Sequence, residues 1–493
     1  MVLVEGSRLS VRGRLQGTGG RFSGAPVPRY GGEVSWDERG VRLRGFDVEV
    51  LGGAATLDVD VPPSAGAPRL SGQIRGMDAE ALSRLVFGVG AAGLGASASG
   101  PLALEWPRGR IRDLTGTLAL DLAPRADGRT PLSGRVEWRA VNGVQLVERA
   151  ELRTPSTEAR LEGRIERDNR ADLALDAESR DLAATDDLLV RLRQALGAPR
   201  DRVAQDPQKA GFTGAGAFHG RWLGTVSDPV FQGRFSGPDV GYLGVGWGRA
   251  EWVGTLTSSE VRSHSLVLQR GGGELWLDGT TGTGAYGEDD RLDLTMRVRD
   301  WPAEDFARAL AWDVDVKGLV TGEASVKGRR SAPQGTVHVT SAQGRYYGVA
   351  FADLDVHSVL AASATEVRSG RARVGGGTVS FHGSLTDDGV YDGAAEASAL
   401  DLSELLPAAP PDLRWGGALS GQVVMQGTRA RPRLQARLLA PRLTLGGEAL
   451  GPLDARAQGA GDGTLTVEAQ CRAETIDVSA RGRIGRASCR ERV

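Results

Sequence analysis

The sequence predicts an all-β protein of antiparallel strands with a few short amphipathic helices, and three of its features do so. Apolar and polar residues alternate strictly in TLALDLA (Leu118, Leu120, Leu122), RLDLTMRV (Leu292, Leu294, Met296, Val298), GTVHV (Val337, Val339), RLTL (Leu443, Leu445) and TLTVEA (Leu465, Val467). That period of two gives each pleated strand one apolar and one polar face. Glycines with Asp or Arg beside them, as in SWDERGVRL and SLTDDGVYD, break these runs roughly every 8 to 12 residues, a spacing that suits hairpins and antiparallel pairing. Glycine itself reaches 71 of 493 residues, with no period of three and an ordinary 22 prolines. That is roughly double the ~7% of average usage, as a chain with many turns requires.

Four acidic-apolar segments interrupt the strands: MDAEALSRLVFG from Met77, LAATDDLLVRLRQAL from Leu182, WPAEDFARAL from Trp301 and LDLSELLPA from Leu400. Apolar residues recur in them at helical spacing (Leu82, Leu85, Val86; Phe306, Leu310, Ala311), with acidic residues in the first turn and Pro302 at an early helical position. The pattern predicts short helices over 78–87, 185–196, 302–311 and 401–406. The segments lie 105, 119 and 99 residues apart, and the same punctuation follows the third and fourth: Gly322, Gly328, Pro333 and Gly421, Gly427, Pro432. GGGELWLDG from Gly271 also aligns without gaps to GGGTVSFHG from Gly375. The chain therefore divides into β-repeat modules over 1–87 (its start incomplete), 88–196, 212–311, 312–406 and 407–483 (truncated), with the polar stretch GAPRDRVAQDPQKAG, 197–211, as a linker.

The last ten residues, IGRASCRERV (484–493), look like the one-frame translation of a common sequencing-library adapter whose next codon is a stop. They are read as a non-native tail without defined structure, and the natural protein is expected to continue beyond Arg483. Setting aside three arginines and one glutamate takes the formal charge from −2 to −4 and leaves Cys471 as the single cysteine. One cysteine forms no internal disulfide and no CxxC metal site.

Composition and motifs exclude several classes. Lysine plus arginine (60) balance aspartate plus glutamate (62), so no positive field exists to hold a nucleic acid. No run of 18 apolar residues is present to span a bilayer as a helix, and MVLVEGSRLSVRGRL has no secretory signal pattern. Gly88, Gly90 and Gly93 match GxGxxG but follow a helix instead of a strand, so the match is read as chance in a glycine-rich chain. His219, His264, His338, His357 and His382 form no i,i+4 pair and are read as solvent-facing strand residues, not metal ligands. Asp289 with Asp290, and Asp387 with Asp388, read as turn residues. Trp247, Trp252 and Trp276 read as core or groove packing. No GxSxG, HExxH or P-loop occurs. No enzyme activity, cofactor or metal is expected.

The module resembles the TamB/AsmA-like proteins of the bacterial envelope. It shares their Gly-rich entry, proline, run of two-faced strands, GG turn and terminal DLxxLL-type segment. LSGQVVMQGTRARPRLQARLLAPRLTLGGEALGPLDARAQG looks like their central repeats. The resemblance implies an elongated, curled β-sheet trough with an apolar concave face. It implies transport of phospholipid between inner and outer membranes, or help in outer-membrane protein assembly beside a β-barrel partner. A periplasmic location is implied too, with anchoring in the inner membrane through an N-terminal segment absent here. On that reading the groove is lined by Leu118, Leu120, Leu122, Leu292, Leu294, Met296, Val298, Val337, Val339, Leu443, Leu445, Leu465 and Val467, which hold phospholipid acyl chains. A surface adhesin or autotransporter-like structural β-repeat protein is the alternative.

Overall fold

The computed structural model describes residues 2–5, 8–22, 24–63, 66–110, 113–195, 210–225, 228–282, 291–405, 414–428, 431–461, 464–472 and 477–484. Strand makes up 75% of the chain and helix 8%. The chain forms two compact units. The first holds Met1–Tyr242 and Gly246–Arg262; the second holds Leu243–Val245, Ser263–Gly282 and Glu288–Val493.

In the first unit each strand pairs antiparallel with its successor, from Val2–Glu5 to Pro229–Tyr242. The two-residue segment Thr130–Pro131 stands outside this succession and pairs in parallel with Leu94–Glu105. In the second unit the same simple succession runs from Gly273–Gly282 to Asp477–Ile484. There Trp415–Gly416 pairs instead with Arg431–Leu445. Among the described pairings neither succession closes on itself, so each unit is an open sheet. Two-residue hairpins make many of the connections. Leu51–Gly52 has φ of 53° and 71°, and Asn142–Gly143 has 49° and 82°, the double positive φ of the turn that matches strand twist.

Among the described residues four helices interrupt the sheets: α1 (Ala79–Phe87), α2 (Leu182–Ala195), α3 (Ala303–Ala309) and α4 (Leu402–Leu405). Each falls on a segment predicted to be helical. α2 begins earlier than its apolar spacing indicates because the Asp181 carboxylate accepts the amides of Ala183 (3.0 Å) and Ala184 (3.2 Å), an N-terminal cap. Pro302 is not inside α3 but caps it, at φ −60° and ψ 123°. α3 also stops short of residue 311, where Ala311 turns to φ 53°. Gly88 closes α1 at φ 68°, and the Gly90 amide donates to the Ala195 carbonyl at 2.6 Å, so the glycines of the GxGxxG match serve helix packing. Most of the linker, 197–209, lies outside the described residues, as does 485–493 of the tail. The backbone of Ile484 ends the strand Asp477–Ile484, opposite Leu465.

Three of the helices share one entry. Strand pairing slips between Ile74 and Met77, between Val298 and Trp301, and between Ala397 and Leu400. A residue of positive φ stands in each slip: Gly76 (62°), Asp300 (49°) and Ala399 (57°). Such bulges bend a strand and re-aim its side chains. The next residue, Met77, Trp301 or Leu400, is driven to 4%, 0% or 7% exposure, and the helix starts two residues later. In the first unit Ala79 and Leu82 of α1 pack on a cluster of Ala55, Ile74, Met77, Ala98, Leu102 and Leu120. In the second, Leu402 of α4 packs with Ala440, Leu443 and Cys471.

Arginines tie the acidic helix starts to neighbouring chain. Arg129 pairs with Asp78, with Glu80 (3.1 Å) and with Asp127 (2.6 Å). Arg125 reaches Asp78 at 3.1 Å and the carbonyls of Gly52 (3.3 Å) and Gly76 (3.2 Å). Glu80 accepts the Gly93 amide at 2.7 Å. Burial by itself would raise the Asp78 carboxyl. Hydrogen bonds from Arg129 and the Ala81 amide, with the charges of Arg129 and Arg125, outweigh it and hold the group below its ordinary 3.8. At α3 the buried Asp305 pairs with Arg270, whose guanidinium lies 5.4 Å from the centre of the Trp301 ring.

Two stability measurements follow from these contacts. Trp301→Ala should destabilise the second unit by about 3–5 kcal/mol in urea titration, the cost of emptying a fully buried aromatic site. Trp312→Ala, at a residue 61% exposed, should stay within about 0.5 kcal/mol. Because the Asp78 carboxyl is depressed on folding, its contribution is complete above the unfolded value and is lost as pH falls through the folded one. Asp78→Asn should therefore cost about 1.5 kcal/mol at pH 7, and its difference from the parent should shrink below about pH 4 when acid unfolding is followed by circular dichroism.

Candidate functional site: the apolar sheet faces

Residues directly opposite in an antiparallel pair point to the same side of the sheet, so the register traces each face from strand to strand. In the first unit Phe46, Leu57, Gly72, Leu102, Leu118, Trp138, Val147, Gly163, Leu173, Trp222 and Phe231 stand opposite one another in turn across eleven strands. In the second unit two rows cross twelve strands each. One is Leu277, Met296, Ala324, Val337, Ser358, Val367, Gly383, Gly393, Met425, Leu434, Gly459 and Leu465. The other runs from Leu275 and Val298 through Val339, Phe381 and Val423 to Val467.

Eleven of the thirteen residues named for the groove stand in these rows or beside them on the same strand face. Leu120 pairs with Val136 and Leu122 with Gly134, beside Leu118. Leu294 pairs with Val326 and Leu292 with Gly328, beside Met296 and Val298. Val337 and Val339 pair with Ala324 and Gly322. Leu443 reaches the α4 cluster after a bulge, and Leu445 pairs with Trp415 of the same cluster. Leu465 and Val467 end the two rows of the second unit. The first three of these residues belong to the first unit and the other ten to the second, and each set forms its face with its own neighbours.

The apolar faces are also rich in strand glycine, and some of these glycines lie under an aromatic ring. A Cβ on Gly370 would meet the Phe381 ring at 2.2 Å, and one on Gly220 the Phe218 ring at 2.8 Å. The rings thus cover bare backbone that a larger residue would displace. Part of each face stays open to solvent: Trp36 is 45% exposed in the first unit, and Leu385 and Met425 are 52% and 45% exposed in the second. The cluster in the first unit draws its residues from consecutive strands and from α1, so one sheet and a helix supply its packing.

The opposite faces are polar. Asp121, Arg135, Glu151, Arg160, Asp176, His219 and Arg234 face one another across seven strands, with His219 Nδ1 2.7 Å from Asp176. Exposed pairs of this kind contribute little stability each; they keep this side in water. Trp276 departs from its expected core or groove position. It stands on the polar side opposite Arg297, half-buried, with Arg299 5.5 Å from its ring centre. Trp252 covers Gly254, and Trp247 donates to the Tyr242 carbonyl at 3.0 Å. Asp388 takes the Thr386 hydroxyl in a hairpin turn, which holds its carboxyl below the usual range, whereas Asp289 and Asp290 lie outside the described residues.

Sequence reading missed one constellation on the polar side of the second unit. His338 and His357 stand directly opposite each other, with Asp355 between their ring nitrogens. Nineteen positions separate the histidines, and only the register brings them together. No protein-family model, curated protein or solved structure matches the chain.

Proposed function

We propose that the chain is a non-enzymatic lipid carrier, part of a TamB/AsmA-like envelope protein, whose apolar sheet faces hold phospholipid acyl chains. The parent protein would move phospholipid between inner and outer membranes or assist outer-membrane protein assembly beside a β-barrel partner. Its place is the periplasm, with an inner-membrane anchor on a segment outside this chain. The observation that carries this reading is an apolar face continued in register over many strands and still partly open to solvent, as Met425 and Leu385 are.

Dimensions support it. Twelve strands at ~4.8 Å spacing give the second unit a face about 53 Å long, several times the ~15 Å that an acyl chain occupies in one leaflet. Leu292, Leu294, Met296 and Val298 give it a width of about 20 Å at ~3.4 Å per residue. Each methylene laid on such a face gains about 0.8 kcal/mol when fully buried, while a charged headgroup remains in water. Holding a chain in this way needs fit and area, with no bond made or broken.

The test places a charge on each side of one strand. Leu294→Asp puts a carboxylate in the apolar face, where an acyl chain would have to desolvate it at a cost of several kcal/mol. Thr295, the next residue, pairs with Asp278 and Ser325 on the other side. Leu294→Asp should weaken binding of a fluorescent phospholipid at least tenfold, and Thr295→Asp should leave it within twofold. Native mass spectrometry after mild extraction should find phospholipid on the parent chain. If no lipid co-purifies and the two charges act alike, the adhesin or autotransporter-like structural reading replaces this one.

A further inference from the structure

We propose that His338, Asp355 and His357 form a binding site for a divalent late-transition-metal ion such as Zn2+ on the polar face of the second unit. The strands Ala332–Tyr346 and Val349–Ala361 place the two histidines directly opposite each other. Their rings are stacked, with centroids 3.9 Å apart and planes 11° from parallel. Asp355 lies two residues before His357 and so shares its face. Its Oδ1 is 2.9 Å from Nε2 of His338 and 3.3 Å from Nε2 of His357. The three donor atoms all lie within 4.8 Å of one another.

That geometry is nearly a coordination shell. A tetrahedral ion bound at about 2.0 Å holds its donors roughly 3.3 Å apart, close to the spacing already present. Each imidazole would offer Nε2 as a lone pair and keep its proton on Nδ1, the tautomer that metal-bound histidine adopts. Two imidazoles and one carboxylate favour zinc, copper or nickel over magnesium or calcium, which take oxygen shells. The partly exposed rim leaves the remaining position to water. Glu323 stands opposite His338 on the adjoining strand and brings a second carboxylate to the same side.

The backbone is shaped around this spot. Pairing with the next strand slips twice, between Ala352 and Asp355 and again between His357 and Ser358. Asp353 stands within the first slip at φ 48°, a conformation that costs a non-glycine residue energy. Bulges are concentrated where a strand must re-aim a side chain, and here two of them bracket Asp355 and His357. The lipid-holding face is on the other side of the sheet and makes no use of these residues.

Isothermal titration of the full chain with ZnCl2 at pH 7.5 tests the site. The parent should bind Zn2+ with one more equivalent per chain than the His338→Ala/His357→Ala double variant. Asp355→Asn, which keeps the side-chain shape, should weaken that equivalent at least tenfold. His264→Ala, at an exposed strand histidine elsewhere, should match the parent, and a millimolar excess of Mg2+ should not compete. Equal stoichiometry and affinity in the parent and in both site variants would overturn the proposal, as would displacement of the bound Zn2+ by Mg2+.

Discussion

Strand register is the constraint on which everything else here depends. A sheet that continues by adding the next strand must pass its apolar side from one neighbour to the next, and a slip of a single residue would turn that side to the water. In the second unit the hand-over succeeds eleven times in succession, from Leu277 to Leu465. Two-residue turns enforce it. Leu51–Gly52, Asn142–Gly143, Tyr347–Gly348 and Gly375–Gly376 all take positive φ at both positions, which fixes the pairing of the strands they join.

The bulges are where that order is broken to a purpose. At Gly76, Asp300 and Ala399 one twisted residue swings Met77, Trp301 or Leu400 into the apolar side, and a short helix follows at once. The helix then lies against the face that its own strand helped to build. Its acidic first turn is held down by arginines from other strands or loops, Arg125 and Arg129 at α1 and Arg270 at α3. The sheet therefore gains three-dimensional packing at intervals of about one module, while long stretches between the helices remain a single layer. Exposed apolar residues such as Trp36 and Leu385 belong to those stretches, and the proposed carriage of extended apolar chains rests on them.

Glycine serves both constraints. Part of the excess supplies the turns. Another part sits in the strands themselves, as Gly220 and Gly370 do, under rings donated by Phe218 and Phe381. Strand glycine ordinarily weakens a sheet, and the aromatic cover restores packing that the missing side chain would have provided. The composition of this chain is thus a record of how a large sheet turns, bends and packs with few other elements.

The sequence by itself determined the fold class, the alternation of faces and the sites of all four helices, because period-two and helical patterns are local and survive in a single chain. Leu292, Leu294, Met296 and Val298 declare their common side without any knowledge of a partner strand. Helix ends were less legible: the early start of α2 hangs on the Asp181 carboxylate, and the cap role of Pro302 on a backbone angle. What only the tertiary structure decided is which residues of distant strands meet. Trp276 reads as a core residue until pairing sets it on the polar side beside Arg297 and Arg299. His338 and His357 are unremarkable in sequence and become neighbours only through the register of a hairpin whose strands carry them to the same level. Pairing between strands is a long-range property, fixed by turn geometry and bulges together, and a periodicity that reports which face a residue takes is silent about what stands opposite it.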